Sequence, residues 1–169
     1  MADGFSVLIP TRLSLFIIKT VLNREWFQIK NEFGWSSFRL PVRDISKSIK
    51  SAGVYCPGSF VKTELKEEHP LTLGMPSSTG VFFRGTPVFT TSIPRFDMDR
   101  RVIAKFPDEE ILMSDYCEKP EKLADKTVMV WLQKGKGQLV LYGFNPQFRA
   151  STQGSYKLLF NGLLLEKIK

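Results

Sequence analysis

The chain has 169 residues, 43% of them hydrophobic and 14 of them phenylalanine, which suits one domain with a sizeable core and favours a well-packed interior over a disordered tail. Its formal charge is +7, but Lys plus Arg stand against Asp plus Glu at 8 to 4 over residues 1–50, 8 to 11 over 51–121 and 8 to 2 over 122–169. Basic ends around an acidic middle could meet a polyanion or equally an acidic protein neighbour, and a solvated surface with some charge bias fits them better than specific nucleic-acid recognition.

Residues 1–33 form a first segment. Asp3 precedes the apolar run Leu13 to Ile18, Lys19 interrupts it and no small-residue cleavage pattern follows, so no export signal is expected. The run also falls far short of the roughly 20 apolar residues of a membrane span. The spacing of its apolar residues fits a helix from about 12 to 31.

Residues 34–169 read as the folded domain. Leu40-Pro41, Cys56-Pro57-Gly58, His69-Pro70, Gly74-Met75-Pro76, Gly85-Thr86-Pro87 and Phe106-Pro107 cut the chain into short pieces. Strands are predicted between them at Ser59 to Leu65, Val88 to Thr91 and Val102 to Phe106. Thr127 to Leu132 and Leu139 to Tyr142 flank a glycine turn at Lys134-Gly135-Lys136-Gly137, which predicts a hairpin. The second of these strands is apolar on both faces, as in α/β sheets covered by helices on both sides. A final helix follows, with Tyr156, Leu159, Phe160, Leu163 and Leu164 as its apolar stripe. Ser151 or Thr152 is the expected N-cap, and Gly162 implies close packing because a helical glycine costs about 1 kcal/mol relative to alanine.

The residues that carry chemistry are few. His69 is the only histidine, whereas hydrolytic zinc sites draw two or three ligands from that residue. Glu67-Glu68-His69-Pro70 reads as an exposed turn. No Gly-x-Ser-x-Gly elbow occurs, Cys56 lies in a turn, and the acidic neighbours of Cys117 raise a thiol pKa. Two buried thiols are the expectation. Asp97 with Asp99, and Asp108-Glu109-Glu110, read as solvated loops. Gly74 to Gly80 lacks the lysine and following helix of a phosphate loop. No cofactor and no metal follow from these residues.

The loop between hairpin and helix collects Asn145, Gln147, Arg149, Ser151 and Thr152. These are the candidate ligand-binding residues: Arg149 and the free amides of the helix start would hold a carboxylate, a phosphate or a carbohydrate. The competing reading is that Asn145 and Gln147 satisfy loop backbone and Arg149 pairs with an acid.

Phe38-Arg39-Leu40-Pro41-Val42-Arg43, Tyr55-Cys56-Pro57-Gly58-Ser59, His69 through Pro76, and Gly135 through Leu164 resemble the C-terminal region of bacterial zinc carboxypeptidase-like proteins of the carboxypeptidase A type. Gly143-Phe144-Asn145-Pro146-Gln147-Phe148-Arg149 with Lys157-Leu158-Leu159-Phe160-Asn161 is the most specific part, and the first third matches least. The resemblance implies a class I glutamine amidotransferase-like domain, a flavodoxin-like α/β layered sheet, complete or truncated. It carries over no activity: the peptidase His-x-x-Glu pair and later His are absent, and Asn145 to Arg149 stands where the amidotransferases have His-Pro-Glu. The expectation is a non-catalytic accessory or structural module with a protein partner or fused peptidase domain, or a fragment prone to self-association. An anion- or carbohydrate-binding module is the second expectation. A hydrolase using Cys56 or Cys117 with His69 is the third.

Overall fold

The structure is a computed structural model that describes residues 5–9, 26–30, 37–85, 87–95, 97–114, 116–135, 137–150 and 152–165. The candidate residue Ser151 lies outside them, as do all of residues 12–25. Ten strands form one sheet: β1 (Phe5–Ile9), β2 (Trp26–Lys30), β3 (Ser37–Asp44), β4 (Ser59–Leu65), β5 (Ser78–Phe83), β6 (Phe89–Thr91), β7 (Met98–Lys105), β8 (Leu112–Ser114), β9 (Thr127–Lys134) and β10 (Gly137–Tyr142). Helices α1 (Ser46–Ser51) and α2 (Gln153–Leu163) are the only α-helices among the described residues.

The strands run in the order β2-β3-β6-β9-β7-β4-β5, with β10 joining β9 to β1 and β8 pairing with β4. Every pairing is antiparallel. The expected flavodoxin-like, amidotransferase-like layered sheet is therefore overturned, because that architecture needs parallel strands with crossover helices on both faces. The helix expected over 12 to 31 likewise gives way at Trp26–Lys30, which is strand β2. Its β-branched and aromatic residues serve a sheet as readily as a helix.

The hairpin explains how the two-faced apolar pattern misled. In the β9–β10 register Leu132 faces Leu139, Trp131 faces Val140, Val130 faces Leu141 and Met129 faces Tyr142. Partners across a ladder share a face, so Val130, Leu132, Leu139 and Leu141 point one way. There they pack with Leu40, Val42 and Phe89 of β3 and β6. On the other face, Met129, Trp131, Val140 and Tyr142 join Val61, Val81, Phe83, Leu71 and Leu158 in the main core. Both faces are buried, but more sheet provides much of the cover. Two-sided burial reports that something lies on each face and leaves open what it is.

Helix α2 closes the main core. Tyr142 donates its hydroxyl to the Leu158 carbonyl at 3.0 Å. Asn161 Nδ2 donates to the carbonyls of Leu71 at 2.9 Å and Leu73 at 3.1 Å, and Lys157 Nζ donates to that of Gly74 at 2.9 Å. These bonds tie the helix to the 3-10 turn Pro70–Thr72 and its exit. A Cβ on Gly162 would stand 2.8 Å from the Tyr142 hydroxyl, which is the close packing that residue implied. The inward positions are Ser155, Leu158 and Gly162. The expected stripe is rotated away: Phe160, Leu163 and Leu164 are 57%, 53% and 77% exposed.

Candidate functional site

A cavity of about 750 Å³ opens beside α1. Ile49 anchors α1 in the main core, and the first turn is pinned by Asp44, whose Oδ1 accepts from the Ser46 amide at 2.8 Å. Ser46 Oγ in turn accepts from the Val88 amide at 3.0 Å. The helix end then presents Lys50, Gly53 and Val54 to the cavity.

The remaining walls meet at two isolated antiparallel bridges, Tyr55 with Glu118 and Phe82 with Asn145. The Glu118 amide donates to the Tyr55 carbonyl at 2.8 Å, and the Asn145 amide to the Phe82 carbonyl at 3.0 Å. All four residues line the cavity, with Arg84, Gly85, Phe144 and Cys56. Phe82 is fixed between rings: it stacks on Phe148 at 3.6 Å and meets Phe60 edge-on at 5.6 Å. On the outer side Glu118 accepts from the Tyr116 hydroxyl, which holds that phenol above its usual pKa. The wall thus carries two cations, one carboxylate, an amide and aromatic rings.

The loop residues expected to bind a ligand are dispersed. Asn145 lines the cavity, and its Oδ1 also accepts from the Gln147 amide at 3.2 Å. Gln147 is exposed. Arg149, exposed and in the left-handed region at φ 45°, lies with its guanidinium carbon 5.4 Å from the centre of the Phe148 ring. Thr152 occupies the N-cap of α2 without a side-chain capping bond. It is buried, and its oxygens are 2.7 and 2.9 Å from Ser155 Oγ. That hydroxyl also lies 2.8 Å from the Pro146 carbonyl, so the loop and the helix start are held to each other.

His69 is not in an exposed turn. It is 9% exposed, caps the Pro70–Thr72 turn by accepting from the Leu71 amide on Nδ1 at 3.2 Å, and packs on Trp131 with ring centres 5.3 Å apart. Burial, then the charges of Lys66 and Arg101, lower its pKa, with Asp99 opposing. The cavity wall includes Cys56 and does not include His69. Among the described residues no group of three or more His, Cys, Asp or Glu side chains is placed to hold a metal ion. Asp97 is bonded to Lys134 at 2.8 Å, and Asp108 is fully exposed, with its pKa raised by the hydrogen bond and charge of Asp125 alongside.

Sequence reasoning missed the cavity, because it is assembled from α1, the end of β5, residues near 118 and the turn after β10. The signal present was slight: each cysteine follows a tyrosine, in Tyr55-Cys56 and Tyr116-Cys117. Among the described residues no helix is long and apolar enough to cross a membrane. No family model, curated protein or solved structure matches the chain.

Proposed function

We propose that this chain is a non-catalytic accessory domain that acts by binding, and that its site is the cavity between α1 and the Phe82–Asn145 bridge. The observation that carries this reading is the wall itself: Lys50 and Arg84 against Glu118 leave one positive charge, beside Tyr55 and the Asn145 side chain. A volume of about 750 Å³ falls within the roughly 300–1,000 Å³ of sites for small organic molecules. The ligand class is a small anion with a flat or apolar body, its acid group held by the cations and its body resting on Tyr55. The test is calorimetric titration with an aromatic carboxylate, a nucleoside monophosphate and inorganic pyrophosphate. At least one ring-bearing anion should bind, and K50A with R84A should weaken it tenfold or more. Heat that is equal for pyrophosphate and ring-bearing anions, or unchanged in both variants, would count against the reading.

A second reading, contact with a protein partner, is favoured by Leu73, Phe160, Leu163 and Leu164, which together expose apolar surface at the end of α2. With a formal charge of +7, two copies repel, so the occupant is an acidic protein surface. A photo-crosslinker placed at 160 in cells should give an adduct with an acidic protein that a crosslinker at Lys47 does not. An adduct with a second copy, or none, would remove this reading.

A further inference from the structure

Cys56 and Cys117 lie far apart in sequence, and the bridge between Tyr55 and Glu118 brings them together. Across an antiparallel pair the residue after one partner faces the residue before the other, which sets Cys56 opposite Cys117. Because Tyr55 and Glu118 are the hydrogen-bonded pair, the cysteines occupy the adjoining position, where Cα atoms stand about 4.5 Å apart. Disulfides span about 4.4–6.8 Å between Cα atoms. The side chains agree: Cys56 is among the groups that raise the pKa of the Cys117 thiol, as a near neighbour does. Both are free and buried, at 5% and 7% exposure. Each sulfur makes a long contact with a carbonyl, Cys56 Sγ with that of Phe83 at 3.8 Å and Cys117 Sγ with that of Glu118 at 3.9 Å.

We propose that Cys56 and Cys117 are a dithiol pair that a small-molecule disulfide, entering by the cavity, converts to an internal disulfide. Cys56 lines that cavity and is the thiol that reacts first, attacking a sulfur of the small disulfide. Its thiolate displaces one small thiol and forms a mixed disulfide. The Cys117 thiolate then attacks the Cys56 sulfur and releases the second small thiol. The two thiol protons pass to the two leaving thiolates, so the protein is oxidised by two electrons and the small disulfide is reduced by two. The Cys117 thiol is pushed up to about 12 by burial, by Cys56 and by the charges of Glu121 and Glu118. Closure of the ring is therefore the slow step, and it quickens as pH rises because more Cys117 becomes thiolate. The product would fasten a contact that a single bridge now holds, at the edge of the proposed ligand site, although the chemistry does not depend on that site being used.

The test is incubation of the folded protein with excess oxidised glutathione, followed by alkylation in denaturant and intact-mass measurement. Wild type should pass through a glutathione adduct on Cys56, end with neither free thiol and no bound glutathione, and recover both thiols in dithiothreitol. C117S should stop as a glutathione adduct on Cys56, and C56S should keep its thiol over the same time. The melting temperature of the oxidised wild type should exceed that of the reduced protein. A wild type that keeps two free thiols, or that ends as a stable glutathione adduct, overturns the proposal without recourse to either variant. So does an oxidised product linked between two chains.

Discussion

The hairpin of β9 and β10 and the seam at Tyr55 and Glu118 are two solutions to joining distant pieces of chain. The hairpin partners are matched residue for residue from Gly137 with Lys134 to Tyr142 with Met129, and their side chains are packed on both faces. The seam is one bridge beside an open cavity. Rigidity is concentrated where ladder bonds and buried apolar area coincide, so the seam, held by one bridge, should open at lower cost than the hairpin.

Breaking the hairpin side of this contrast should have the largest effect. Trp131 is 1% exposed, and its Nε1 donates to Gln138 at 2.8 Å. W131A should cost about 3–5 kcal/mol, read by urea denaturation. G162A is next: it adds a methyl against the Tyr142 hydroxyl, so overpacking of about 1–3 kcal/mol exceeds or cancels the roughly 1 kcal/mol gained in helix propensity. G162A combined with Y142F should recover part of any loss, and a gain in G162A alone would show that the contact is slack. At the seam, E118P deletes the Glu118 amide donor of the bridge and should cost about 1 kcal/mol, while also slowing oxidation of the cysteines. A larger stability loss for E118P than for W131A would reverse the comparison.

The smallest effect is one of pH. The folded His69 has a pKa below its ordinary 6.5, so below that pH the unfolded chain takes up a proton that the folded chain refuses. Its contribution is fully present above about 6.5 and is lost as pH falls toward the folded value. H69N retains a side-chain acceptor for the Leu71 amide and does not titrate. The wild-type stability should therefore fall relative to H69N as pH is lowered from 7 to about 5, and parallel profiles would mean that His69 titrates as it does in the open chain.

What could be read from the sequence was local. Ser59–Leu65 emerges as a strand with the predicted bounds, and the glycine turn at Gly135 joins the expected strands. Gly143 is a case of local information that was hidden: a Cβ there would meet the Pro87 carbonyl at 2.6 Å and that of Val128 at 2.8 Å, and neither approach is visible in the string Tyr142-Gly143-Phe144. The direction of the strands was not legible, since antiparallel and parallel strands buried on both faces share one composition. Helix α2 shows the same limit. Its leucines and Phe160 offer more than one apolar face, and the Gly162 contact with Tyr142, a tertiary event, selected the narrower side. The cavity depended on bridges between residues far apart, such as Phe82 with Asn145, which no spacing encodes.

The pairing of β1 with β10, from Phe5 with Tyr142 to Ile9 with Gln138, has a consequence for how the molecule is made. An edge joined to a partner so distant along the chain gives high contact order and slow folding. During synthesis Phe5–Ile9 emerges long before the strand that receives it, and until then it is an unmated β segment open to wrong partners. Refolding should thus be limited by the docking of this strand, and assistance by a chaperone should matter most in the interval before Tyr142 is available.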